Sequence, residues 1–305
     1  MITVAIIVLA LILDTWLGEP RRGHPLIAFG HAAKWLDDRL NHASHSPLRR
    51  RLAGALAVAL VVVAAGVGTW LLTRLPGLGV AVEVVLLFLC LGGSSLALHA
   101  RKVARPLAAG HLVPARRRLA HIVSRDTAEL DEHGVAGATV ESVLENGNDA
   151  IFATLFWFVV AGAPGTVIHR LVNTLDAMWG YRTPRYRYFG WAAARLDDAL
   201  GYIPARLTAL SYGLAGRLRG AWQCWRTQAK SWDSPNAGPV MAAGAGALGI
   251  RIGGPNDYHG ELRERPWLGE GRAAKAFDIE RALALVKRAV GVWLLVLLAG
   301  GWLLA

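Results

Sequence analysis

Four stretches of this chain are long, apolar and nearly free of charge, and they constrain the fold more than any other feature. Residues 53–73, 150–168 and 289–305 carry no charged side chain, and residues 78–98 carry only Glu83. A helix crosses the hydrocarbon core of a bilayer with about 20 apolar residues. In that medium the backbone polar groups must pair within the segment, so these runs are expected to be helices. Buried core helices of a soluble protein are the competing reading, but such helices usually interrupt runs of this length with polar side chains. The chain is 54% hydrophobic, above the usual value for soluble domains. It is therefore expected to be an all-α, polytopic integral membrane bundle.

Residues 2–13 resemble the apolar core of a signal peptide. No Lys or Arg precedes them, and no small-residue cleavage site follows, so they read as an uncleaved first membrane helix. About five to six membrane segments are expected in one membrane-embedded domain, 1–305, near 1–17, 53–73, 78–98, 150–172, 199–216 and 289–305, with polar loops at 18–52, 101–149, 173–198 and 217–288. Cys90 and Cys224 are the only cysteines, too few for a disulfide framework or a thiolate zinc cluster. The net charge of +11 lies next to the apolar runs, as in Arg49–Arg51 and Arg116–Arg118. Positive-inside anchoring to lipid phosphates accounts for it without a nucleic-acid partner.

Arginine distribution puts the first and third connections, which include Arg21 and Arg22, in the cytoplasm. A full crossing by 150–172 would then place Arg182, Arg185, Arg187 and Arg195 outside, against the rule. Ala161-Gly162-Ala163-Pro164-Gly165 offers a break that turns this segment into a re-entrant element, acceptable where it is buried in protein or lines a cavity.

Three polar blocks are candidates for chemistry. In the first, Glu141, Glu145 and Asp149 follow at i, i+4 and i+8, one face of a helix. Like charges at that spacing need compensation from Mg²⁺ or arginine; a solvated acidic face is the alternative. The second runs from Asn173 through Asp176, Arg185, Arg195, Asp197 and Asp198 with interleaved aromatics. It reads as an interfacial belt or as a groove in which Arg holds phosphate. The third joins Ser234-Pro235-Asn236-Ala237-Gly238 to Gly244–Gly249 and Gly253-Gly254-Pro255-Asn256. Gly244–Gly249 has G-x-G-x-x-G spacing without the preceding strand, so close helix packing is the better reading. The Gly253-Gly254 turn is either a phosphate cradle or only a turn. His24 and His169 read first as structural residues. Walker A, H-E-x-x-H and G-x-S-x-G motifs are absent.

Together these blocks resemble the adenosylcobinamide-phosphate synthases, the CbiB/CobD-type membrane family of cobalamin biosynthesis. The resemblance is carried by Leu13-Asp14 with Gly18-Glu19-Pro20 and His24-Pro25, Ser124-Arg125-Asp126-Thr127, and Glu141–Asn146 to Asp149. It continues through Asn173–Met178, Tyr186–Asp198, Pro204–Thr208, Ser234–Gly238 and Gly253–Tyr258. It covers nearly the whole chain in order. Thr154 stands where the family usually has Pro, and Asn-Gly-Asn-Asp at 146–149 lacks the usual Thr/Ser pair; neither change removes a carboxylate.

The resemblance implies a bacterial inner-membrane ligase. It would join aminopropanol, or its phosphate, to a propionate carboxyl of adenosylcobyric acid, driven by ATP with Mg²⁺. On that basis Glu141, Glu145 and Asp149 are the metal candidates. Arg125, Arg185, Arg195, Asn173, Asn236 and His24 are the substrate or phosphate contacts. Asp126, Asp176 and Asp197 are the candidate proton acceptors. Association with other pathway enzymes or with a second copy of the chain is also expected. A corrinoid transporter without ligation chemistry and a regulatory membrane protein are the alternatives.

Overall fold

The structure is a computed structural model. It describes every residue except Arg21, Arg22, His259, Gly260, Glu264, Leu304 and Ala305, and the side chains of residues 256–258, 261–263 and 303. In chain order the helices are α1 (Ile2–Leu17), α2 (Pro25–Leu40), α3 (Pro47–Thr73), α4 (Gly79–Cys90), α5 (Gly93–Ala108) and α6 (Leu112–Leu119). They continue as α7 (Glu132–Gly147), α8 (Ala153–Trp179), α9 (Trp191–Ala215), α10 (Leu218–Gln228), α11 (Ala237–Leu248) and α12 (Ala276–Leu303). A π-turn, Asn148–Phe152, joins α7 to α8. Short strands β1 (Ile250–Gly253), β2 (Asn256–Tyr258), β3 (Glu261–Arg263), β4 (Trp267–Gly269) and β5 (Arg272–Ala273) lie between α11 and α12.

The helical membrane fold matches the sequence expectation. Among the described residues, four helical stretches are long and apolar enough to cross a membrane: Pro47–Thr73, Gly79–Ala108, Glu132–Trp179 and Ala276–Trp302. Ile2–Leu17 is a shorter apolar helix. Helix α9 covers the expected segment 199–216 up to Ala215 but does not reach that apolarity. The polar stretch 217–288 is not loop: it holds α10, α11 and the strands, whose runs are too short for period-2 alternation to reveal them.

The chain divides into two compact units. One comprises 2–92 and 153–201. Its core gathers Ala33 of α2, Ala57 and Val58 of α3, Leu175 and Trp179 of α8, Phe189, and Ala193 of α9. The rings of Trp179 and Phe189 meet at 4.9 Å, and Gly54 lets α3 approach the Phe189 backbone where a Cβ would collide. Lipid is as apolar as these side chains, so close packing rather than water exclusion favours such contacts. Along α3, Leu52, Leu56, Leu60 and Val63 are each 60% exposed or more, a stripe suited to acyl chains.

Helix α8 is broken as the sequence led us to expect. Ala161 (φ −137°, ψ 16°) and Gly162 (φ 63°, ψ −158°) leave the helical region. Gly162 adopts a conformation open almost only to glycine, and Pro164 opens the second arm. The Thr166 hydroxyl donates to the carbonyl of Thr154 at 3.4 Å. Twelve residues of straight helix would separate those positions by about 18 Å, so the chain folds back into a helical hairpin. Glu83, the one charge in its apolar run, brings a carboxylate oxygen to 3.5 Å from where a Gly162 Cβ would stand.

The other unit comprises Met1, 93–152 and 202–305. Its helix α11 is buried along its entire length. Gly220 of α10 and Gly246 of α11 bring the two helices together: a Cβ on Gly220 would lie 2.6 Å from the Gly246 carbonyl. The Gly244–Gly249 spacing is therefore a packing feature, as anticipated. Strands β4, β1 and β5 form one small sheet, with β1 antiparallel to β4 and parallel to β5, and β2 pairs with β3 as a hairpin.

Candidate functional site

Helix α7 opens with a designed cap: the Asp131 carboxylate accepts from Gly134 N–H at 2.7 Å, and Glu132 adds negative charge to the first turn. The helix then buries Val135 through Leu144 and carries Glu141 inward, 3% exposed. A buried carboxylate needs a partner, and Glu141 has several. Arg125 clasps both of its oxygens, with both side chains less than a tenth exposed. The Gly253 N–H donates to Oε1 at 3.0 Å, and Arg265 stands 4.0 Å from Oε2. The Arg265 guanidinium covers the Trp232 ring at 4.3 Å. An anion is thus held by two guanidiniums and a glycine amide in a turn where Gly253 and Gly254 both have positive φ.

The next turn of acid is supported differently. Asp149 lies in the π-turn, a geometry frequent at functional sites. Thr208, fully buried on α9, donates to Asn148 Oδ1 at 2.8 Å, and Asn148 Nδ2 donates to Asp149 at 2.8 Å. The Tyr212 hydroxyl donates to the Leu144 carbonyl at 3.0 Å. It reaches that point because residue 147 is glycine, whose Cβ would meet the hydroxyl at 2.6 Å. Glu145 lies one turn before Asp149, half-buried.

Asn236 precedes α11. The Ser234 hydroxyl accepts from the N–H groups of Asn236 and Ala237 at 3.3 and 3.2 Å, so the Ser-Pro-Asn-Ala-Gly block is in part a helix-entry turn. Arg206 of α9 donates to Asn236 Oδ1 and to the Pro235 carbonyl, each at 2.9 Å, and stacks on Tyr202 at 3.6 Å. Asp126 is exposed and closes its own turn by accepting from Ala128 N–H.

Arg125, Asp126, Glu141, Glu145, Asp149 and Asn236 all belong to this unit. Arg125 and Glu141 are in contact, Asn236 is held by Arg206 of α9, and Asp149 is linked to Thr208 of α9 through Asn148. Among the described residues, no group of three His, Cys, Asp or Glu side chains is placed to hold a metal ion. With Glu141 engaged by Arg125 and the Gly253 amide, the three expected carboxylates do not converge as one ligand set.

The other six expected residues lie in the unit of 2–92 and 153–201. Asp37, 2% exposed, accepts from Arg185 at 2.6 Å, from the Tyr186 hydroxyl at 3.1 Å and from Asn41 at 2.8 Å. Arg185 also reaches Asp38 at 3.1 Å. These bonds hold the Arg185 guanidinium above its usual pKa, the hydrogen bond to Asp37 first. Burial, then the Asp37 charge, pushes the Tyr186 phenol up. Asn173 donates to Asp197 at 3.4 Å and accepts from Arg170 at 3.3 Å. Arg195 pairs with Asp198 at 3.0 Å. Asp176 is partly buried beside Gly180. His24 is buried and caps α2, its Nδ1 accepting from Leu26 N–H at 3.2 Å.

Sequence reasoning missed Arg265, Arg206, Thr208 and Asp37 as partners of these groups. Arg206 and Thr208 stand in the Pro204–Thr208 block, which signalled them; Arg265 and Asp37 carried no local signal.

The CobD/Cbib protein family matches residues 7–286. The chain is 60% identical to the cobalamin biosynthesis protein CobD of Stutzerimonas stutzeri, with 97% of each chain covered. It is 56% identical to that of Chromobacterium violaceum, over 97% of this chain and 96% of the relative. With that of Mycobacterium tuberculosis the identity is 43%, over 92% and 90%. No solved structure matches.

Proposed function

Because the chain belongs to the CobD/Cbib family and so has a role in cobalamin biosynthesis, we propose that it is the membrane ligase that joins aminopropanol phosphate, or the free amino alcohol, to a propionate carboxyl of adenosylcobyric acid. The observation that supports this reading best is the anion clasp of Arg125, Arg265 and the Gly253 amide around Glu141, in the same unit as Asp149 and Asn236.

A carboxylate is a poor acyl donor. In the proposed reaction its oxygen attacks the terminal phosphorus of ATP, giving an acyl phosphate and ADP. The amine then attacks the carbonyl carbon and displaces inorganic phosphate as the amide forms. Arg125 and Arg265 are cations suited to transferring phosphate oxygens. Mg²⁺ bound with the nucleotide would be held by Glu145 and Asp149 and would neutralise phosphate charge. Asn236, fixed by Arg206, would orient a polar substrate group. Of the expected proton acceptors, Asp126 lies in the same unit and is the one proposed to take the ammonium proton. The protein would act in the bacterial inner membrane, alongside other enzymes of the pathway or as a homo-oligomer.

The test is ligation by purified protein supplied with adenosylcobyric acid, aminopropanol phosphate, ATP and Mg²⁺, with the corrinoid analysed by mass. A product heavier by the condensed amino alcohol phosphate, and absent without ATP, is expected. Tight corrinoid binding without any product would overturn the ligase reading in favour of a carrier.

A further inference from the structure

At the start of α3 the charges run against the helix. Arg49, Arg50 and Arg51 occupy its first turns, where the macrodipole already presents positive charge and favours anions. The cap is neutral, the Ser46 hydroxyl accepting from Arg49 N–H. A further arginine joins from the segment before α9. The Tyr188 ring has three guanidiniums near it, those of Arg50 at 5.9 Å, Arg51 at 5.7 Å and Arg187 at 5.6 Å. Arg51 also stands 5.6 Å from the Trp191 ring.

Carboxylates do not resolve this crowding. Among the described residues none lies within ion-pair distance of Arg49, Arg50, Arg51 or Arg187. The nearby acids are engaged elsewhere, Asp37 and Asp38 with Arg185. Arg50 is buried, yet it is satisfied only by dipoles: the Asn41 side-chain carbonyl and the backbone carbonyls of Pro184 and Arg185. His45 records the same field. Its ring is held below its ordinary pKa by burial first, then by the charges of Arg49, His42 and Arg50, and its buried Nδ1 has no hydrogen-bond partner. Cation–π contacts offset part of such repulsion, but they leave the charge in place.

We propose that Arg51 and Arg187, with Tyr188 and Trp191 as their platform, form a site for one phosphate group, and that an anionic phospholipid headgroup supplies it. The phosphate would bridge the two guanidiniums, whose forked N–H donors match phosphate oxygens. Lipid is favoured over a soluble phosphate because the site stands where the apolar run of α3 begins. The Leu52, Leu56 and Leu60 stripe that leads away from Arg51 is exposed along a helix long and apolar enough to cross a membrane. Tyr and Trp at that level suit the interface. The proposal is independent of the ligase reading, since it places no substrate there.

Native mass spectrometry of the full-length protein in detergent tests it, with phosphatidylglycerol, phosphatidylcholine or inorganic phosphate as the added probe. Phosphatidylglycerol should be retained over phosphatidylcholine by roughly tenfold, and the R51Q/R187Q double variant should lose that preference. Tyr188→Phe keeps the ring and should retain it, which separates loss of the site from misfolding. Equal retention of the two lipids by the unaltered protein, or an unchanged preference in a folded R51Q/R187Q variant, would overturn the site. Displacement of phosphatidylglycerol by millimolar inorganic phosphate, without dependence on the lipid tail, would keep the phosphate site and overturn its lipid source.

Discussion

Replacing Arg125 by Gln should destabilise the protein by about 3 kcal/mol, and the reasoning is set by what remains around Glu141. The pair is buried on both sides, with 8% and 4% of the side chains exposed. Removing one member of a buried ion pair typically costs about 3–5 kcal/mol, because the other charge stays desolvated. Two groups reduce the loss here. The Gly253 amide keeps its hydrogen bond, and Arg265 remains 4.0 Å away. At that distance and an effective dielectric constant near 20, the attraction is of order 4 kcal/mol before desolvation is counted. The expected cost therefore falls at the low end of the range. Unfolding in mixed SDS and detergent micelles, followed by the fluorescence of the 12 tryptophans, would measure it. The partner experiment is R125M/E141L, which removes both charges. Its stability should lie close to the unaltered protein, while ligation should vanish. A single-variant cost below about 1 kcal/mol would mean that water reaches the pair, and the buried clasp would be refuted.

Four further outcomes follow from particular contacts. Gly162→Val should cost about 1–3 kcal/mol, since a β-branched residue cannot hold the hairpin turn without strain, and thermal unfolding reads this directly. Gly246→Leu should separate α10 from α11 and cost at least about 2 kcal/mol through overpacking, read in the same assay. Thr208→Val should leave the fold largely intact but weaken the Mg²⁺ dependence of turnover, because Asn148 no longer presents its amide firmly to Asp149; an unchanged Mg²⁺ titration would separate Asp149 from metal binding. The Tyr186 phenol should ionise above the usual tyrosine value near pH 10, seen as delayed tyrosinate absorbance. With the folded pKa raised, its contribution is present below pH 10 and is lost as pH rises through the folded value.

The long apolar runs made the helical membrane fold readable, because uncharged length is a local property. So was the break at Ala161–Gly165, where Gly and Pro stand together in a hydrophobic segment. The helices between 217 and 288 were obscure for the converse reason. Helix α11 is itself made mostly of small apolar residues and is buried along its length, so it shows no polar face and no periodicity. The acidic spacing pointed to α7 and its π-turn, yet it suggested a shared ligand set, whereas Glu141 pairs with Arg125 from a preceding loop and with Gly253 from β1. Such pairings join residues far apart in sequence, and nothing in either neighbourhood announces them. Arg185 shows the same limit: its partner Asp37 is separated from it by 148 positions.

As a re-entrant element, the hairpin of α8 would change the parity of the chain's path. An element that enters and turns back contributes no net crossing, so residues that follow it emerge on the face from which it set out. Arg182, Arg185, Arg187 and Arg195 would then not be carried across the bilayer. The stacking of Arg51 and Arg187 near the same tyrosine ring places that basic segment at the same end of its unit as the opening turn of α3. One glycine with positive φ would thus reconcile an arginine-rich segment with the charge asymmetry that orients membrane proteins.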